Sequence, residues 1–286
     1  MSELNRLYHT RFYTRQYNPH GMDVISEDWD NLVILDACRY DMFESKSDLE
    51  GNLQRRTSRG STTVEFLNGN FGRQELNDTV YVTANPQLYY NNKSVDTNFH
   101  AEVNVWAENG WDKDYGTVRP ETVTEYALEA EQKYPRKRLI VHYVQPHYPF
   151  IAGDIETGTG DFDGESLNIW EKLTKNGNKI DEERVIDSYH SNLSAVLPDV
   201  KKLCSDLNGK TVVTSDHGNL LGERSSPIPV TEWGHPRGTY VESLTTVPWL
   251  VMNATERKEV ISETSGPRKT IERSVVNKRL EDLGYK

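Results

Sequence analysis

The chain has 286 residues, 35% of them hydrophobic, and a formal net charge of −11. That is enough chain for one large α/β domain or two small ones, and the acidic balance argues against a nucleic-acid partner, which would call for a basic face. Two cysteines are too few for a disulfide framework, the polar and aromatic start lacks the apolar stretch of a signal peptide, and no window nears the roughly 18 apolar residues of a membrane span, so the expectation is a cytoplasmic protein.

Residues 1–28 read as an arm rich in Tyr and Arg that hugs the surface. Asn31–Ala37 is continuously apolar and predicts a buried strand, delivering Asp36 where it ends. Asp36 has two readings, a helix N-cap or a ligand at the rim of a sheet. Arg39 and Asp41 follow and can pair with each other, or Arg39 can meet an anion. Ser61-Thr62-Thr63-Val64-Glu65 reads as a capping box with Thr62 as N-cap and Glu65 three residues on. The same geometry places a hydroxyl in the positive field of a helix start, where a metal would lower its pKa. Thr79–Ala84 predicts a second strand, closed by Asn85-Pro86, and Pro120–Tyr134 a helix with Pro at its start.

Arg138–Val144 predicts a third strand, followed by Pro146-His147-Tyr148-Pro149, whose prolines fix the backbone and aim His147. His142 lies inside that strand and reads as a core histidine rather than a ligand. Residues 151–180 carry little periodicity and read as a surface excursion or lid. A long helix from Asp181 to Leu207 shows Val185, Tyr189, Leu193, Val196 and Val200 on one face. Thr211–Ser215 predicts a fourth strand, ending in Asp216-His217-Gly218. There a carboxylate and an imidazole can share one cation, or the residues simply make a turn. Trp233–Gly238 is a loop in which His235 and Arg237 either contact an anion or decorate the surface. Val247–Met252 predicts a fifth strand, and residues 255–286 a charged helical tail. Strands alternate with helices, so the expected fold is a layered α/β sandwich around a largely parallel sheet.

The order of these signals resembles the alkaline phosphatase and sulfatase superfamily across roughly residues 30–253. The stretch from Tyr189 to Glu223 is similar to that superfamily's helix, strand and SDHG-xx-LGE loop. GHPRGTYVESLTTVPWLV is similar to its following segment, and QPHYPF to its PHxPF element. The resemblance implies a three-layer α/β/α sandwich around a mixed, mostly parallel sheet. It implies metal ligands at Asp36, Asp216 and His217, and substrate-anion or second-metal contacts at His147 and His235. GSTTVEF is similar to the nucleophile region of lipoteichoic acid synthases, which implies Thr62 as nucleophile, with Ser61 next. Formylglycine sulfatases need a Cys or Ser before x-Pro-x-Arg, and this run has neither that Pro nor that Arg.

The expectation is therefore a metal-dependent hydrolase or transferase of phosphate mono- or diesters working through a covalent threonine intermediate. Arg39 and Arg237 would bind the anion. One divalent cation is expected; mixed Asp/His ligation favours Mn or Zn over Mg or Ca, and a second metal stays open. Substrates would be anionic small-molecule, glycan or lipid-head-group esters. Two alternatives stand beside this: hydrolysis of sulfate esters without formylglycine, and a non-catalytic anion- or glycan-binding relative.

Overall fold

A computed structural model describes residues 1–107, 109–153, 155, 169–176, 181–264, 266 and 268–285. In chain order it begins with helix α1 (Ser2–His9), strand β1 (Asn31–Leu35), α2 (Tyr40–Lys46), β2 (Asn52–Thr57), α3 (Thr63–Phe71) and β3 (Glu75–Thr83). Short helices α4 (Gln87–Tyr90) and α5 (Asn92–Val95) lead to β4 (Asn98–Asn104), the β5 (Trp111–Asp112) and β6 (Thr117–Val118) pair, α6 (Pro120–Lys133) and β7 (Arg138–Tyr143). Then come α7 (Ile169–Asn176), α8 (Glu182–Asp206), β8 (Thr211–Ser215), β9 (Leu220–Arg224) and β10 (Thr231–Gly234). The last elements are α9 (Glu242–Thr245), β11 (Thr246–Val251) and α10 (Arg273–Asp282).

Seven strands form one sheet in the order β2-β11-β8-β1-β7-β3-β4. The pairs β8-β1, β1-β7, β7-β3 and β3-β4 are parallel, and β11 runs against both neighbours. All five residues of β1 and of β8 are buried, as strands covered on both faces must be.

Alternation along the strands sorts the core into two layers. Val33, Leu35, Val141 and Val213 point to the side of α6 and α8, where Val123, Ala127, Leu193, Val196 and Val200 lie. Leu32, Ile34, Ile140 and Val212 point to the opposite side and pack with Phe66, Leu67 and Phe71 of α3. The α/β/α sandwich and its mostly parallel mixed sheet agree with the sequence expectation.

Some elements differ from that expectation. The edge strands β2 and β4 carry half-exposed polar residues and lack a readable apolar run. Among the described residues the tail is helical only over Arg273–Asp282. Before that it is an irregular strap, because it trades helix for side-chain anchors: Arg257 grips Asp30 at 2.6 Å and Asp28 at 2.8 Å, and Lys258 reaches Asn31 at 2.7 Å. Most of the 151–180 excursion lies outside the described residues; within its described part, Ile169, Trp170 and Leu173 of α7 are buried. Among the described residues no helix is long and apolar enough to cross a membrane.

Candidate active site

Three adjacent parallel strands, β8, β1 and β7, end side by side, and their register decides what meets at the rim. Ile34 pairs with both His142 and Thr214, and Leu35 with Ser215. The next residues in the chain, Asp36 and Asp216, are therefore neighbours. Both follow the phase of Ile34 and Thr214, toward the α3 layer, and His142 shares that face. Sequence-distant carboxylates are thus brought together by parallel pairing at the C-terminal edge, where open α/β sheets build their sites.

Asp36, His142, Asp216 and His217 are all fully buried. Asp36 Oδ2 accepts hydrogen bonds from Asn85 Nδ2 at 2.6 Å and the Tyr285 hydroxyl at 3.0 Å. Asp216 Oδ1 accepts from the backbone of Ala37 at 3.0 Å and of His217 at 2.9 Å. Their other oxygens, Asp36 Oδ1 and Asp216 Oδ2, have no hydrogen-bond partner among the described residues, and neither has His142 Nε2. One ligand atom from each of Asp36, His142 and Asp216 lies within 4.8 Å of the others. His217 Nε2 lies 3.6 Å from Asp36 Oδ1 and 3.5 Å from Asp216 Oδ2.

The histidine tautomers follow from their partners. His217 Nδ1 faces the Gly218 carbonyl at 2.7 Å, which can only accept, so Nδ1 carries the proton and Nε2 presents a lone pair in the neutral ring. That nitrogen lies within 3.6 Å of a carboxylate oxygen from each of Asp36 and Asp216. His142 is held at Nδ1 by the Tyr81 hydroxyl at 2.7 Å, and burial pushes its pKa down to about 4, so it is neutral. Unpaired buried acceptors are costly. Burial first, and the Asp216 charge second, hold Asp36 well above the usual carboxylate range. A divalent cation is the group that such a donor set fits: two carboxylates and the His142 imidazole within 4.8 Å of one another, with His217 Nε2 beside both carboxylates.

The helix that enters this face begins with the hydroxyl-rich run. Thr62 is the N-cap of α3, its Oγ1 accepting from the Glu65 amide at 3.4 Å, while the Glu65 carboxylate reaches back to the amide of Ser61 at 3.0 Å rather than completing a capping box on Thr62. Its hydroxyl is therefore turned back on its own helix. Thr63, the first helical residue, is the one that faces the carboxylates: its Oγ1 is 3.4 Å from His217 Nε2 and 3.5 Å from the Tyr285 hydroxyl. Ser61 is a brace. Its Oγ donates to Glu65 Oε2 at 2.7 Å and accepts from Gly238 N at 3.0 Å, tying the start of α3 to the loop after His235.

His147 and His235 form the outer rim. His147 Nδ1 donates to the carbonyl of Tyr148, so its Nε2 is an acceptor, and His235 Nε2 donates to it at 2.9 Å. Burial pushes His147 down to about 4 and His235 well below the usual histidine range, so both rings are neutral. The His235 ring lies 4.7 Å from that of His217, which joins the rim to the carboxylate centre. Tyr285 stacks on His147 with ring centres 5.0 Å apart.

Asp36, Asp216, His217, His147 and His235 thus converge as expected. Arg39 does not join them: it is engaged by Asp41, Glu223 and the Asn219 carbonyl. Arg237 is exposed on its loop. Four residues of the centre escaped sequence reasoning. Thr63 stands one position from Thr62, the residue the resemblance implies. Asn85 stands at the end of β3 just as Asp36 stands at the end of β1, a positional signal that could have found it. His142 was read as core because it lies within an apolar strand. Tyr285 has no local signal at all.

The sandwich and its mixed, mostly parallel sheet match the alkaline-phosphatase-like α/β fold of solved phosphoethanolamine transferase domains. The soluble domain of lipooligosaccharide phosphoethanolamine transferase A from Neisseria meningitidis matches with a TM-score of 0.52 at 12% identity, over 79% of this chain and 76% of that one. The C-terminal periplasmic domain of phosphoethanolamine transferase EptC from Campylobacter jejuni matches at 0.50 and 15% identity, over 78% of each. Against the integral membrane form of the Neisseria transferase the score is 0.52 at 15% identity; 79% of this chain is covered, and it spans about half, 47%, of that protein. No protein-family model matches the chain, and no curated protein matches it by sequence.

Proposed function

We propose that this chain is a metal-dependent transferase or hydrolase of phosphate esters, with the Thr63 hydroxyl as nucleophile. The observation that carries this reading is the convergence of unpartnered buried acceptors beside that hydroxyl. Asp36, Asp216, His142 and His217 would hold the cation. When bound, it supplies positive charge that acidifies a nearby hydroxyl and offsets charge on phosphoryl oxygens. The start of α3 adds its own positive field at Thr63. Asn85 and Tyr285 hold Asp36 from one side and leave its other oxygen free to ligate.

Thr63 Oγ would form the new bond to phosphorus while the bond to the leaving oxygen breaks. The Thr63 proton would leave to solvent and the leaving oxygen would take one from water, while the neutral rings of His147 and His235 offer hydrogen bonds at the rim. Water or an acceptor alcohol would then take the group from Thr63. Phosphate mono- and diesters are the substrate class of this reading; sulfate esters are the competing substrate.

The test is a matrix of metals against aryl phosphate, aryl phosphodiester and aryl sulfate. Turnover of a phosphate ester with Mn or Zn, abolished in Thr63→Ala and kept in Thr62→Ala, is the expected result. Turnover of the sulfate alone moves the assignment to sulfate esters. Equal activity of wild type and Thr63→Ala overturns the nucleophile.

A further inference from the structure

The N-terminal arm is built inside out. An ordinary surface helix turns its apolar stripe to the core. Here α1 turns a polar side inward: Asn5 is fully buried, exchanging 2.8 Å hydrogen bonds in both directions with the backbone of Ile228, and His9 Nε2 meets the Ser226 carbonyl at 2.7 Å. The exposed surface of the arm carries Met1, Leu4, Tyr8 and Phe12, three or four residues apart, exposed by 74, 51, 53 and 78%. With Tyr13 these are five of the seven exposed large hydrophobic residues described in the chain, so the patch is concentrated in one place.

The backbone contributes a second observation. Arg11, Phe12 and Tyr13 are consecutive left-handed residues, with φ of 50, 56 and 64°, a conformation non-glycine residues avoid. Thr10 holds it in place, donating to the Arg6 carbonyl at 2.7 Å and accepting from the Tyr13 amide at 3.1 Å. The strained turn projects Phe12 outward at the end of the stripe. Arg6 and Arg11 lie 5.1 and 5.6 Å from the ring centres of Tyr13 and Tyr8, so charge and aromatic surface are interleaved. Residues 1–15, which carry the patch, hold three arginines and one glutamate in a chain of net charge −11; the arm's acidic residues Asp23, Glu27 and Asp28 follow it.

We infer that this arm docks the chain on an anionic lipid bilayer. Aromatic and aliphatic side chains flanked by arginines are the chemistry that settles into a headgroup region, with the guanidinium groups at the phosphates. A second copy of the chain is a poorer occupant. Outside the arm only Tyr90 and Val260 are large, apolar and exposed among the described residues, and arm-to-arm pairing would bring like charges together. The arm also abuts the site's rim: a β-carbon placed on Gly238, three residues after His235, would lie 2.7 Å from the Thr10 methyl. The docking does not depend on the proposed chemistry.

The test is co-sedimentation of the full chain with vesicles of equal phosphatidylglycerol and phosphatidylcholine, and with vesicles of phosphatidylcholine alone. Binding to the anionic vesicles is expected to exceed binding to the neutral ones at least tenfold and to fall in 0.5 M salt. Leu4→Asp with Phe12→Asp should reduce it at least tenfold, and Arg11→Glu with Arg15→Glu should remove the preference for anionic lipid. These side chains are at the surface, and an unchanged melting curve shows that the fold is kept. Absence of vesicle binding by wild type, or equal binding by the Leu4/Phe12 variant, overturns the inference. So does a dimer in sedimentation equilibrium that the same substitutions dissociate.

Discussion

Replacing Asp36 by Asn tests the centre without relying on activity. The amide is isosteric. Its oxygen can still accept from Asn85 and Tyr285, and its NH2 faces the His217 Nε2 lone pair, now 3.6 Å from Asp36 Oδ1. What is lost is one of two buried like charges whose ligand atoms lie within 4.8 Å. At an effective dielectric constant of about 20 that repulsion is roughly 3 kcal/mol. About 2 °C of melting temperature per kcal/mol is the scale for a chain of this size, so metal-free Asp36→Asn should melt about 6 °C above metal-free wild type at pH 9. The sign follows from linkage. Burial and Asp216 raise the folded-state pKa of Asp36, so its contribution is complete below the ordinary carboxylate range and is lost as pH climbs through the raised value. Wild type without metal should therefore weaken from acid toward alkaline pH, and the variant should not show that component. Saturating Mn or Zn at 100 times Kd should stabilise wild type by about 2.7 kcal/mol and leave the variant unmoved. Thermal melts with chelator and with metal, at pH 5, 7 and 9, read all of this. A variant that melts below wild type throughout, or that keeps the metal response, refutes the reasoning.

Other outcomes are expected at neighbouring positions. Thr63→Ala should lower phosphate-ester turnover by at least about 10³-fold while keeping the metal-dependent rise in melting temperature. Thr62→Ala should do the reverse, costing about 1 kcal/mol of stability for the lost cap with turnover within a fewfold of wild type; steady-state kinetics beside melts separate them. Gly218→Ala should destabilise by about 1–3 kcal/mol in urea unfolding, because its β-carbon would stand 2.1 Å from the Ser243 carbonyl oxygen. Tyr285→Phe removes one of two donors to Asp36 Oδ2 and should cost about 1.5–3 kcal/mol in metal-free melts; an unchanged melt would mean the hydroxyl contributes nothing there.

The sheet was legible because its central strands are buried on both faces and read as unbroken apolar runs. β1, β7 and β8 each appear that way in the sequence, and each ends abruptly in a polar residue. The edge strands β2 and β4 have no such run, since half of each faces solvent. Within the centre, strand-end residues were readable and phase-dependent ones were not. Whether Thr62 or Thr63 faces the carboxylates depends on which of them folds back to cap α3, a local choice that composition does not encode. His142 looked like core because it is core by burial; only the register with Ile34 reveals that its free nitrogen points at Asp216. Tyr285 arrives through the strap and α10, whose path is set by ion pairs such as Arg257 with Asp30, and no periodicity announces such a path.

The donors at positions 36, 142, 216 and 217 come together only when β8 inserts beside β1, 180 positions away in the chain. A growing polypeptide therefore offers only Asp36 and His142 of this set while its first two hundred residues emerge. If the centre takes a cation, as proposed, uptake would be a late event that needs the paired β1, β7 and β8. Occupancy of the centre would then serve as a readout of correct assembly as much as of catalytic readiness.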